Sequence, residues 1–286
     1  VLARVGLVVE PRRPAPQVTA GREVSGEGVK AVLLAIETEP GVTLPAALYL
    51  PSNPAPGPVI LHAGEWGKPA TLAEESLPRA LARRGLPVLS IDLRGLGETD
   101  VREGKRNPSA GGWDEHQWVR DQYAIMASGY LQRTIPAMQA YDLIRAGDAL
   151  AADPRTTERP VRLVGEGYAG LPALLAAVAA PFESVTTIGT LASLEWLVRQ
   201  PLHEVRNYFW MPGALADFDL PVLAVAAAPQ PVTWLNPTDH LAQPTDPSRC
   251  DDLTAWARAM AGLLGQTVAW RQVDPGSDSL AAAVAR

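Results

Sequence analysis

Val161-Arg162-Leu163-Val164-Gly165-Glu166-Gly167-Tyr168-Ala169-Gly170 decides the fold. A short apolar run ends in three glycines and an alanine, and an Ala/Leu-rich segment follows from Leu171 to Ala180. The pattern reads as a buried strand, a tight turn and a helix starting near Tyr168. The stretch also satisfies Gly-x-Gly-x-x-Gly. A dinucleotide site would place that motif after the first strand, with an acidic residue about 20 positions on. Several strand–helix units precede it here, and Glu183 falls in a loop, so nucleotide binding is set aside.

Working outward, the same alternation recurs. Apolar runs at Val59–His62, Pro87–Asp92, Val185–Ile188, Val232–Leu235 and Thr267–Val273 read as short strands. The spacing predicts helices over 71–84, 132–150, 253–264 and 280–284, the first opened by a capping box at Thr71–Glu74. Leu220–Ala228 is apolar enough for either state, and its alanines favour helix. Val29–Ile36 and Leu44–Leu50 flank Pro40-Gly41 and predict an antiparallel hairpin. A hairpin followed by repeated strand–helix units implies an α/β fold with a mostly parallel sheet and helices on both faces. Residues 1–28, rich in Pro, Gly and charge, are expected to form an irregular arm before a single domain over 29–286.

The 286 residues carry a net charge of -6 with the two signs intermixed. Nucleic-acid binding needs a basic face, and no Lys/Arg stripe exists, so that function class is excluded. Cys250 is the one cysteine. It excludes an internal disulfide and leaves the compartment open; the expectation is an incidental thiol in a polar loop after Pro247. No apolar run reaches the roughly 18 residues of a membrane span. The chain starts at Val1, and a leader removed before it would make the protein periplasmic or secreted. Oligomeric state is left open, and no cofactor is expected.

Two further segments share the chemistry of the opening stretch. Asp92-Leu93-Arg94-Gly95-Leu96-Gly97 ends a strand in a sharp reversal, and Leu235-Asn236-Pro237-Thr238-Asp239 ends another with an acid just beyond it. Gly165–Gly170 has the strand–turn–helix context of a nucleophile elbow, where small residues flank a nucleophile held on a strained turn. Gly165 and Ala169 are the small residues, so residue 167 is the nucleophile position, and it is glycine. Glycine tolerates the backbone and has no oxygen with which to attack an ester. After the last strand, Val273-Asp274-Pro275-Gly276-Ser277 carries serine where a triad histidine would follow.

Taken together, these segments resemble the α/β-hydrolase fold, specifically its acetyl xylan esterase-like branch. The order and spacing of Glu37–Gly41, His62–Lys68, Met211–Gly213 and Phe218–Pro221 add to that resemblance, which covers about residues 29–275. It implies a triad acid at Asp239, a lost nucleophile at Gly167 and a lost histidine at Ser277. It also implies an oxyanion hole from the backbone of Tyr168 and of the loop holding Gly64 and Glu65.

Among the other candidates, His62 reads as a structural hydrogen-bonding residue. Adjacency keeps His240 from partnering Asp239. His116, in a polar insertion, is a candidate substrate contact, and His203 is a weaker one. Glu166 is expected to point away from the pocket, whereas Glu65 is the carboxylate expected to intrude on it. Residues 191–212 hold Trp196, Tyr208, Phe209 and Trp210. They read as a cap whose aromatics, Trp210 included, could stack on sugar rings, or as a packed excursion. No metal-ligand spacing is present. The expectation is a degenerate hydrolase that binds a small-molecule or carbohydrate ester ligand without turnover. The alternatives are an ester hydrolase working through non-standard residues and a scaffold domain of a longer protein.

Overall fold

A computed structural model describes residues 1–68, 72–73, 75–100, 115–200 and 202–286, and for 115–121 the backbone alone. After a one-turn helix α1 (Leu2–Val5) come three long strands, β1 (Gln17–Gly26), β2 (Val29–Glu39) and β3 (Val42–Pro51). Alternation then begins: β4 (Val59–Gly64), α2 (Leu77–Arg83), β5 (Val88–Ile91), α3 (Glu115–Tyr130), α4 (Ile135–Ala152), β6 (Val161–Glu166), α5 (Gly170–Ala179), β7 (Ser184–Ile188), α6 (Glu195–Arg199), α7 (Leu220–Ala226), β8 (Val232–Leu235), α8 (Pro247–Leu263), β9 (Val268–Arg271) and α9 (Ser277–Val284).

The strands form one nine-stranded sheet in the order β1-β2-β3-β5-β4-β6-β7-β8-β9. The first three and β5 pair antiparallel, and β5 through β9 pair parallel. The expected hairpin is β2–β3, with Ile36 opposite Leu44. Apolar side chains fill both faces. One core joins α4 and α5 to the sheet through Leu143, Leu174, Leu61 and Leu163; the other joins α2 and α9 through Leu81, Ile60 and Leu280. Strand β4 has β5 on one side and β6 on the other, so the chain leaves β4 in one direction and returns on the opposite side. Such a switch point opens a crevice beyond the carboxyl ends of the strands.

Three details differ from the sequence reading. Residues 17–26, expected to be irregular, are strand β1 at the sheet edge. All ten residues are exposed, so no buried face imposes the alternation by which a strand is recognised. The helix expected from Thr71 is described from Leu77, after Ser76 and with Pro78 in its first turn; Thr71 and Glu74 lie outside the described residues. Cys250 is not in a loop but in the first turn of α8, 1% exposed, because Asp246 caps that helix through the Ser248 N–H. Leu220–Ala226 is helical, as its alanines suggested.

Below the crevice lies a buried ionic cluster. Asp142, on α4, is fully buried and takes two guanidinium bonds from Arg94, at 2.8 and 2.5 Å. The Thr38 hydroxyl donates to the same carboxylate at 2.9 Å. Arg94 also reaches Glu39, which Arg133 clamps with both terminal nitrogens at 2.9 and 3.0 Å. A buried charge is tolerated only when paired and hydrogen-bonded, and removing one partner costs about 3–5 kcal/mol. Arg94→Ala is therefore expected to lower unfolding stability by about that amount in urea titration. Thr38→Val, which removes one neutral donor, should cost about 1 kcal/mol.

Candidate functional site

Gly167 begins the turn after β6 with φ at +60°, a region closed to most side chains. Three small residues permit this turn to pack. A Cβ on Gly165 would lie 2.6 Å from the Ala169 carbonyl oxygen, and one on Gly170 would lie 2.0 Å from Thr190 Oγ1. The Thr190 hydroxyl donates to the Gly167 carbonyl at 2.8 Å and fixes the turn against β7.

The place where a side chain at 167 would begin is taken. A Cβ there would lie 2.3 Å from Glu65 Oε2. That oxygen accepts the Tyr168 N–H at 3.1 Å, the backbone donor assigned above to the oxyanion hole. The intruding carboxylate thus fills the space a side chain at 167 would need and engages the Tyr168 N–H. Glycine at 167 and glutamate at 65 fit each other sterically.

Two loops hold Glu65 there. The Asp92 carboxylate, at the end of β5, accepts the Lys68 N–H, and the Glu98 N–H at 2.9 Å. It thereby ties the loop after β4 to the loop after β5. The approach is close: a Cβ on Gly67 would lie 2.2 Å from Gly97 Cα. The Lys68 ammonium meets Glu98 at 2.6 Å across the same junction, and Arg206 donates to the Glu65 carbonyl at 3.3 Å. Tyr168 is 1% exposed, and its hydroxyl donates to Gln139 at 2.6 Å. The Gln139 amide donates to the Arg94 carbonyl at 2.8 Å, linking the turn to the ionic cluster.

The loops after β4, β6, β7, β8 and β9 wall a cleft of about 570 Å³ at the switch point, lined by Glu65, Glu166, Gly167, Asn236, Thr238 and Ser277 among others. Gly64, Glu65, Gly167 and Ser277 are therefore brought together. Asn236 braces the far wall, its Oδ1 accepting the Val273 N–H at 2.7 Å. Asp239 is not in that wall. Its carboxylate accepts the Leu241 and Gln243 N–H groups at 2.8 and 3.1 Å, closing its own turn.

Trp210 lies elsewhere, 61% exposed, beside a second cavity of about 540 Å³ with Leu197, Arg206 and Met211. The other aromatics of 191–212 are buried, and Phe209 and Tyr208 pack edge-on against Tyr168 at 5.1 and 5.8 Å. His116 sits on α3, and its side chain lies outside the described residues. Glu166, expected to face away, lines the cleft and takes the His62 Nε2 contact at 2.7 Å. His62 is completely buried, its Nδ1 3.0 Å from the Ser90 hydroxyl. This pairing is invisible in sequence because it joins β4 to the parallel neighbour β6 across 104 residues. Among the described residues, no group of three or more His, Cys, Asp or Glu is placed to hold a metal. No single described helix is long and apolar enough to cross a membrane.

No protein-family model matches the chain, and no curated protein matches it. Solved structures do. A Bacteroides fragilis protein assigned as an acetyl xylan esterase superposes with a TM-score of 0.67 at 14% identity, over 91% of this chain and 70% of its own. A glucuronoyl esterase from Solibacter usitatus gives 0.62 at 15%, over 98% and 87%. Acetyl xylan esterase 1 from a Thermoanaerobacterium species gives 0.56 at 16%, over 90% and 80%. The chain has the α/β-hydrolase fold of these proteins.

Two outcomes test the geometry. Burial pushes the Asp92 carboxyl up to about 6, against the two N–H donors that favour its charged form. A folded value above the unfolded one means that the native state binds the extra proton between about pH 4 and pH 6. The Asp92 contribution to stability therefore falls as pH rises through that window, by about 3 kcal/mol for a shift of two pH units. Urea titrations of the parent should show this fall relative to Asp92→Asn, whose profile lacks it. Separately, Gly167→Ala is expected to destabilise by about 2 kcal/mol, from the left-handed backbone and the clash with Glu65. In a Glu65→Ala background the penalty should shrink measurably, and a double-mutant cycle reads the coupling directly.

Proposed function

We propose that this chain is a ligand-binding protein built on an esterase fold, without Ser-His-Asp turnover. The observation that carries the reading is the Glu65 carboxylate on the Tyr168 N–H, above a glycine at the nucleophile position. An ester hydrolase of this fold needs an attacking oxygen on the elbow and a free donor for the oxyanion that follows. Here the elbow has no oxygen, and a carboxylate would repel the developing negative charge. Ser277 and Asp239 add to the case. The first has no imidazole to deprotonate a nucleophile, and the second is committed to its own turn. The cleft at the switch point keeps room for a small molecule.

Hydrolysis of p-nitrophenyl acetate tests the reading. The parent is expected to show no acyl-enzyme burst and only the slow background that backbone donors and binding leave behind. Gly167→Ser alone should stay near that background, because Glu65 still fills the donor. Glu65→Ala/Gly167→Ser/Ser277→His should exceed it by at least about tenfold, an effect of about 1.4 kcal/mol on the barrier. A parent that turns over rapidly, and stops when Glu65 becomes Gln, would instead make Glu65 the working group of an active ester hydrolase.

A further inference from the structure

We infer that the cleft selects a small organic cation, a protonated amine or quaternary ammonium; this rests on the reading of that cleft as a binding site. The cleft is placed by the fold and has the volume for a small molecule, and Glu65 sets its electrostatic sign. In an esterase the Tyr168 N–H would wait for an anion; here Glu65 Oε2 already satisfies it. The site presents a carboxylate where its fold otherwise presents a donor. Among the described residues Glu65 forms no ion pair, so its charge has no full positive partner. Glu166 faces the same space with the ring of the buried His62 as its partner. No Lys or Arg is among the described lining residues, and Glu75 adds a third acid at the rim. Trp66, 67% exposed, stands at the same wall. An exposed indole beside carboxylates suits a cation, since the ring quadrupole and the fixed charges attract the same ligand. A concave wall focuses that field.

One feature of the cleft pulls the other way. The start of α9 at Ser277 borders it, and a helix start carries a partial positive charge of about half a unit. Charge alone at fixed ligand shape therefore discriminates the two pulls. Titration calorimetry of the intact protein, at neutral pH and low salt, would use benzylamine, benzyl alcohol and benzoate. Benzylamine is expected to bind at least about tenfold more tightly than benzyl alcohol, and benzoate more weakly than either.

Glu65→Gln keeps an oxygen for the Tyr168 N–H and should reduce the benzylamine preference at least fivefold, with benzyl alcohol nearly unchanged. Glu166→Gln is the second variant, should the first unfold, and is expected to act in the same direction. The inference is overturned if benzoate binds best, if amine and alcohol bind alike, if none of the three binds, or if the amine preference survives both variants. p-Nitrophenyl acetate turnover on the same samples separates the two readings. A parent that hydrolyses through Glu65 would refute the binding-only reading while leaving the charge preference to stand or fall on the calorimetry.

Discussion

Arg94 meets the fully buried carboxylate of Asp142 inside the protein, and much of the site's geometry follows from that pair. An isolated carboxylate at full burial would neutralise or force the fold open. The bidentate guanidinium removes that option only when the loop after β5 lies flat on α4. Once it does, the Arg94 carbonyl has one fixed position, and the Gln139 amide donates to it. Gln139 in turn accepts the Tyr168 hydroxyl. The elbow is thus positioned from below by a side chain that never reaches the cleft. Its neighbours do the same from above: Asp92 holds the opposite loop through two backbone N–H groups, and Arg206 reaches the Glu65 carbonyl.

This frame holds a tight strand–turn–helix elbow at Gly167 whose polar contacts are made within the chain. A buried N–H requires an acceptor. In an enzyme of this fold the Tyr168 donor would be met by water and then by the oxyanion. Glu65 meets it permanently, and a side chain at 167 would have to displace that carboxylate. The absence of a Cβ at 167 therefore leaves room for a group that satisfies the neighbouring donor. Restoring one atom set without removing the other leaves the site frustrated.

Much of the fold was legible because burial imposes a period on the sequence. Strands β4 to β8 are buried on both faces and read as apolar runs, and the hairpin declared itself through Pro40-Gly41. Strand β1 left no such trace, being exposed along its whole length. The strand–turn–helix around residue 167 was legible, since only small residues permit that turn. Glu65 could be picked out as an intruder from its loop, but not its hydrogen bond to Tyr168, which spans 103 residues. Asp239 supports two readings of one spacing. Its spacing suits a triad acid, yet an Asp before a tight turn is equally suited to cap it, and the local bonds are made. Trp210 was grouped with its aromatic neighbours by proximity in sequence. The other three are buried, and Trp210, exposed, lines a different cavity together with Phe209.

The position of Glu65 also bears on what a cleft at a switch point is for. Parallel α/β architecture points helix starts at the carboxyl edge of the sheet, so such crevices carry a positive bias and commonly receive anions or developing oxyanions. That bias is worth at most about half a charge at each helix end and fades within a turn. One ionised carboxylate in the same wall exceeds it, and here Glu65 sits on the elbow that leads into α5, with Glu166 two residues before the Tyr168 donor. The architecture therefore does not dictate the sign of the ligand. A single side chain, admitted because residue 167 has no Cβ, is sufficient to reverse it.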